Sequence, residues 1–280
     1  MTGTSLLARP TSVEEAREAL AASPLAIVVA GGTEVVANQN RGRDPEGYVS
    51  LRDVRDLTHL QWDEERLRIG SMVTVAALLE ADDLRDRLPA LSQAARSMAS
   101  RQIRERATVG GNICAGGNDR TLVPVLLALG ASVELVGPQG VETAELEEVV
   151  ERDLSGHLLT SIEIPLPTGP QIYFRVGPRN AMCYATASVA LVIDELSHEV
   201  RLGLGGVAPV AVRAREAEAY AQQNLDWVGR SVSPSQAEEF GRLAATATDP
   251  VSDAAASADY RRHAVEVVSR RALTHVFQEG

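Results

Sequence analysis

Apolar and polar positions along the chain fall into short segments that switch between helical and strand spacing. Val13, Ala16, Ala19 and Leu20 recur at helical spacing, and Ser12-Val13-Glu14-Glu15 ahead of them reads as a capping box. In that motif the Ser12 hydroxyl accepts from the third helical amide and Glu15 reaches back to the cap. The helix stops before Pro24. Ala26-Ile27-Val28-Val29-Ala30 is a continuous apolar run, the pattern of a strand buried on both faces, and it leads straight into Gly31-Gly32-Thr33. Helical composition from Glu34 to Asn40 and a return through Tyr48-Val49-Ser50-Leu51 predict a small βαβ unit with glycines at its first turn.

Leu67-Arg68-Ile69-Gly70 reads as a strand, after which Thr74 is placed to cap a helix turning Val75, Leu78 and Leu79 inward. Pro89 opens a helix over Ala90 to Ser100, and a second glycine turn follows in Ala107-Thr108-Val109-Gly110-Gly111-Asn112-Ile113. Pro124 starts another helix that Gly130 ends in the left-handed conformation, and Ser132 to Val136 leaves it as a strand. Ile162 and Ile164 alternate before Pro165, predicting one more. The breaker cluster Pro165-Leu166-Pro167-Thr168-Gly169-Pro170 marks a domain boundary. Beyond it, Ala187 to Ile193 and Val200 to Val207 form a hairpin by spacing, and helices are expected over Ala211 to Gln222, Pro234 to Ala247 and Ser257 to Phe277.

Composition narrows the function classes. With 280 residues, 45% of them hydrophobic and 23% charged, the chain can fill two cores, and no apolar run approaches the ~20 residues of a membrane span. The opening residues lack a secretory pattern, so a cytoplasmic location is expected. A balance of 27 Lys+Arg against 38 Asp+Glu, net −11, argues against nucleic acid as a partner. Cys114 and Cys183 are too few for a cluster or structural zinc, and the five histidines show no ligand spacing, so no metal site is expected and any redox chemistry needs an organic cofactor or another subunit.

The two glycine turns carry the chemistry. Each offers backbone N–H groups with no Cβ to hold off an anion, and a hydroxyl, Thr33 or Thr108, beside them. A tight bend is the alternative reading of either turn alone. Taken together they suit a pyrophosphate. The dinucleotide-binding G-x-G-x-x-G pattern is absent at both places, and no acidic residue stands where ribose hydroxyls would expect one.

These residues also carry a resemblance that runs nearly the whole length. Val29-Ala30-Gly31-Gly32-Thr33-Glu34, Arg68-Ile69-Gly70-Ser71-Met72-Val73-Thr74, and Arg101-Gln102-Ile103-Arg104 with Ala107 to Ile113 are three of its blocks. Leu126 to Leu129, Val176-Gly177-Pro178-Arg179, Leu204 to Pro209 and Tyr260-Arg261-Arg262 follow in order. The chain resembles the FAD-binding medium subunit of the molybdenum hydroxylases, the xanthine dehydrogenase and carbon monoxide dehydrogenase group. The resemblance implies an α+β fold. Residues 1–166 would be a p-cresol methylhydroxylase/vanillyl-alcohol oxidase-type FAD-binding domain with subdomains of about 1–56 and 57–166. Residues 171–280 would be a small antiparallel sheet with helices, similar to the carbon monoxide dehydrogenase flavoprotein C-terminal domain.

It further implies that FAD lies in the cleft of the two subdomains and reaches the C-terminal domain with its ring. Ala30, Gly31, Gly32, Thr33, Glu34 and Val35, with Thr108, Gly110, Gly111 and Asn112, would wrap the pyrophosphate, and Leu159 joins the cofactor contacts. Where the family typically carries a Ser-Pro or Asp-Pro pair and then a ribose-holding aspartate, this chain runs Ala115 to Thr121 with Thr121 at the aspartate's place, leaving Asn118 or Asp119 to take over. Arg175 stands about where a flavin-contacting lysine is common. Tyr184 is either a ring contact or an ordinary core residue of the hairpin. No catalytic side chain is implied.

Three functions are compatible with these features. The leading one is an oxidoreductase subunit relaying electrons from a [2Fe-2S] small subunit and a molybdenum-cofactor large subunit, through FAD, to NAD, a quinone or oxygen. The others are a stand-alone FAD oxidoreductase of a biosynthetic pathway and a flavin-free binding or scaffold protein.

Overall fold

Ser12 does cap the first helix, Val13–Ala22, accepting from the Glu15 amide, and the Glu15 carboxylate reaches back to the Ser12 amide as well as to the Thr11 amide and hydroxyl at 2.7 and 3.0 Å. The computed structural model describes residues 6–42, 45–179 and 182–278. Two compact units divide the chain: Met1–Ala81, Arg101–Ala115 and Ser132–Ile164 make the first, and Asp82–Ser100, Gly116–Ala131 and Pro165–Gly280 the second. The segments 82–100 and 116–131 thus belong with the part of the chain beyond the breaker cluster.

In the first unit, β1 (Leu6–Ala8), β2 (Ala26–Val29) and β3 (Gly47–Ser50) form a parallel sheet in the order β1-β3-β2. The central position of β3 makes β2 an edge strand. Its apolar run is therefore not buried on both faces as the pattern predicted, and Ile27 is 43% exposed. One face packs Val28 and Val49 against Ala16 and Leu20 of the first helix and against Leu51, Leu57 and Leu158. Five further strands, β4 (Leu60–Trp62), β5 (Arg66–Gly70), β6 (Ser132–Gly137), β7 (Gly140–Glu145) and β8 (Leu158–Pro165), stand in the order β4-β5-β8-β6-β7. A bulge at Glu134/Leu135 leaves Thr160 unpaired on β8. Its hydroxyl donates to the Glu134 carboxylate at 2.6 Å, and its carbonyl accepts from the Ser71 amide.

The second unit is built on an antiparallel sheet, β9 (Gln171–Val176), β10 (Ala187–Asp194), β11 (Glu199–Gly205) and β12 (Val212–Arg213), in the order β12-β11-β10-β9. The helix Val123–Ala128 lies close on β11, where a Cβ on Gly203 would stand 1.9 Å from the Pro124 carbonyl oxygen. That helix ends as predicted, with Gly130 at φ +67° and the amides of Gly130 and Ala131 returning to the carbonyls of Leu127 and Leu126.

The helix Pro234–Thr246 buries Ala237, Phe240, Gly241 and Ala244, one face at helical spacing. Gly241 lets it approach the helix Ala258–Gln278, since a Cβ there would come 2.4 Å from the Glu266 carbonyl. Ser233 opens the shorter helix with a complete capping box to Gln236. Ser233→Ala is expected to cost about 1 kcal/mol, the usual worth of such a cap, as a lower midpoint with unchanged slope in urea unfolding.

Candidate functional site

The apolar strand β2 delivers the chain to Ala30-Gly31-Gly32-Thr33, which turns at once into the short helix Val35–Gln39. Gly32 has φ +77°, a conformation that glycine adopts without a steric penalty and a β-branched residue does not. Among the described residues the amides of Gly31, Gly32 and Thr33 make no hydrogen bond within the protein. Three successive unengaged N–H groups around a left-handed glycine are a donor set suited to an anion. Ala30, Thr33, Glu34 and Val35 are each half-buried around it.

The second glycine segment differs from its expectation. It is the first turn of the helix Val109–Cys114, and its amides are committed within the protein. Val109 donates to the Val73 carbonyl at 2.9 Å, Gly110 to Ser71 at 3.0 Å and Asn112 to Thr108 at 2.9 Å, while Gly111 donates to the Thr108 hydroxyl at 3.0 Å. Thr108 is buried and acts as helix cap. The segment is clamped to the turn after β5, which hangs in turn from the Thr160 bulge through Ser71. Gly110 is needed for that closeness, because a Cβ there would come within 2.5 Å of the Ser71 Cβ. The expectation that this turn presents bare amides is therefore corrected: its glycines serve close packing.

The structure nonetheless brings the two glycine segments together. A Cβ on Gly31 would stand 1.8 Å from the Arg106 carbonyl oxygen, and one on Gly111 would lie 3.7 Å from the Ala30 Cβ. The Arg106–Gly111 backbone is the wall on which the Gly31 loop rests. Asn112 is buried beside it, and Leu159, 4% exposed, lies in the sheet opposite Leu135.

The remaining predicted residues belong to the second unit. Gly116 and Gly117 both take positive φ, at +64° and +84°, and Asn118 gives its carbonyl to the Gly206 amide at 2.8 Å. Asp119 is paired with Arg120 at 3.0 Å, and Thr121 is half-buried. Arg175 on β9 donates to the Ser97 carbonyl at 3.0 Å and to the Cys183 sulfur at 2.9 Å. Tyr184 is 63% exposed, which removes the reading of it as a hairpin core residue and leaves its ring available. A residue to which the sequence reading gave no role, Arg261, is buried and bonded to the carbonyls of Thr186 and Gly206. The helical spacing of Arg261 with buried Ala264 and Val265 was the available signal.

Residues 3–167 match the family model described as the FAD binding domain in molybdopterin dehydrogenase, and residues 172–276 match the CO dehydrogenase flavoprotein C-terminal domain. The carbon monoxide dehydrogenase medium chain of Afipia carboxidovorans is 30% identical, the alignment covering 95% of this chain and 94% of that one. The nicotine 6-hydroxylase medium subunit of Paenarthrobacter nicotinovorans is 28% identical, covering 95% of both chains. A solved chain of reconstituted CO dehydrogenase from Oligotropha carboxidovorans, 28% identical, superposes with a TM-score of 0.88 over 100% of both chains. The chain belongs to the FAD-binding medium-subunit family of the molybdenum hydroxylases. It is a flavoprotein subunit of the FAD-dependent oxidoreductases, and its relatives are medium subunits of multi-subunit complexes.

Proposed function

We propose that this chain relays electrons, accepting them from a partner carrying [2Fe-2S] clusters that a molybdenum-cofactor subunit feeds, and passing them to NAD, a quinone or oxygen. The observation that carries the cofactor assignment is the unengaged amide triplet at Gly31, Gly32 and Thr33. It supports placing the FAD pyrophosphate on the first loop, with Thr33 as a hydroxyl donor and Glu34 and Val35 on the following turn. The second glycine segment supports the loop from beneath, and Asn112 and Leu159 complete the proposed surroundings. Asn118, Asp119 and Thr121 are the candidates for the ribose. Of these Asn118 is the better one, since Asp119 is already neutralised by Arg120.

Bound FAD supplies redox chemistry in either one- or two-electron steps. The protein's own part is to hold it and shape its surroundings. Arg175 keeps a guanidinium fixed between Ser97 and Cys183, where it would favour negative charge on a neighbouring ring, and Tyr184 offers an aromatic face. Cys114 and Cys183 cannot ligate a cluster, so such centres come from partners. No helix among the described residues is long and apolar enough to cross a membrane.

Anaerobic mixing of the FAD-loaded chain with heteroaromatic and aldehyde substrates tests the proposal. The flavin is expected to keep its absorbance until the molybdenum and iron–sulfur subunits are added, and rapid bleaching by substrate with no partner present would identify a stand-alone oxidoreductase instead.

A further inference from the structure

Four pieces of the second unit line a cavity of about 430 Å³, a size suited to a small organic molecule. They are Thr168, the turn between β10 and β11, the turn at 226–231 and Phe277 near the end of the helix Ala258–Gln278. Hydrogen bonds fix these turns in advance. The Asp194 carboxylate accepts from the Thr168 hydroxyl at 2.9 Å and from the amides of Leu196 and Ser197 at 3.0 and 3.3 Å. On the other turn Asp226 accepts from the Gly229 amide at 2.8 Å, and Trp227 is held by its edge, Nε1 donating to the Gln222 carbonyl at 3.1 Å.

Among the described residues five other than glycine have positive φ, and two of them, His198 at +55° and Arg230 at +47°, line this one cavity. The left-handed position of a short hairpin loop ordinarily falls to glycine or asparagine. Here a histidine takes it and stacks its ring on Trp227, the centroids 4.7 Å apart and the planes 14° from parallel. Arg230 reaches across to Glu195 of the β10–β11 turn at 2.7 Å. Neither side chain is needed to make its turn. Each strained position instead delivers a chemical group to the same place, which is where backbone strain is characteristically tolerated.

The lining is of two kinds. His198, Trp227 and Phe277 with Ile193 and Leu196 form an aromatic and aliphatic part, and Leu196 is 83% exposed, so a flat ring has apolar surface to cover. Arg230 and Glu195 neutralise each other, yet the pair leaves guanidinium N–H donors and a second carboxylate oxygen to spare. An anion drawn to Arg230 is repelled by Glu195, and a cation drawn to Glu195 is repelled by Arg230. A carboxamide offers its oxygen to the first and its N–H to the second with no net charge. We propose that this cavity binds an uncharged aromatic carboxamide, with the ring on the apolar part and the amide on the Arg230–Glu195 pair. The site lies wholly within the second unit and stands independently of the electron-relay reading.

The test uses the full-length chain with Trp62→Phe, which leaves Trp227 as the one tryptophan, and titrates it with benzamide, benzoate and benzylamine while indole fluorescence is followed. Benzamide is expected to change the signal saturably and to bind at least ~10-fold more tightly than either charged ring. Arg230→Ala is expected to turn the preference to benzylamine, and Glu195→Ala to benzoate. Both side chains are well exposed, so these substitutions spare the fold. His198→Gly suits a φ of +55° and removes the stacked ring, so it is expected to weaken benzamide several-fold without lowering the thermal midpoint. No saturable benzamide binding, equal affinity for the three probes, or a preference that neither Arg230→Ala nor Glu195→Ala moves would overturn the proposal. Titrations with and without FAD are expected to agree, and benzamide displaced by FAD would assign the probe to the flavin site and overturn it as well.

Discussion

Gly31→Ala is expected to weaken FAD binding at least ~100-fold while leaving most of the fold intact. A Cβ at this position would stand 1.8 Å from the Arg106 carbonyl oxygen and 3.2 Å from the Ala107 Cα, a backbone wall that cannot swing aside like a side chain. The loop must lift, and the amides of Gly31, Gly32 and Thr33 move with it. Losing two hydrogen bonds to a charged phosphate, at about 1.5–3 kcal/mol each, is ~100-fold or more at about 1.4 kcal/mol per tenfold. Gly32→Ala strains the φ of +77° yet meets nothing nearer than 3.7 Å, so its effect is expected to be smaller. Calorimetric titration of each variant with FAD, alongside far-ultraviolet circular dichroism, checks the order.

The second large effect is on stability. Glu218, 3% exposed on the helix Arg215–Asn224, accepts from the Leu202 amide at 2.8 Å and from Arg213 through both oxygens at 2.9 and 2.8 Å. It fastens the edge strand β12 and the centre of β11 to one helix. Glu218→Ala removes the carboxylate from a largely buried guanidinium and the acceptor from a sheet amide. Truncating one partner of a buried pair costs about 3–5 kcal/mol, a large share of a typical domain's stability. Glu218→Gln keeps an acceptor for Leu202 and is expected to lose less. Urea unfolding of the two variants separates the charge from the hydrogen bond.

Much of the architecture was legible because periodicity and caps agree with the final environment. The Ser12, Thr74 and Gly130 signals mark helix ends in the structure, and the hairpin β10–β11 lies where the spacing put it. Strand β7 escaped notice because it is a solvent-facing edge strand: Val141 is 69% exposed and its neighbours are polar, so no buried face impresses an alternation on it. Strand β9 follows the proline cluster so closely that the breakers masked it. For β2 an apolar run suggested a central strand, but strand order is decided by pairing partners, and β3 took the centre.

At the site the sequence showed which residues lack a Cβ and could not show what their amides bond. Gly31-Gly32 and Gly110-Gly111 look alike as text. One pair stands at the end of an edge strand with its donors unengaged, and the other is locked to Ser71 and the Thr108 hydroxyl. Arg261 was visible only as a member of an ordered block, because its partners Thr186, Gly206 and Asp253 lie on three separate turns that only the fold brings together.

Titration of the purified, flavin-stripped chain with FAD by calorimetry, wild type beside Gly31→Ala with circular dichroism on both, decides where the pyrophosphate is held. One FAD per wild-type chain is expected, and little or none bound by a folded Gly31→Ala protein. A folded wild-type chain that refuses FAD, or a Gly31→Ala chain that binds it as tightly as wild type, would contradict the assignment of the pyrophosphate to the first glycine loop.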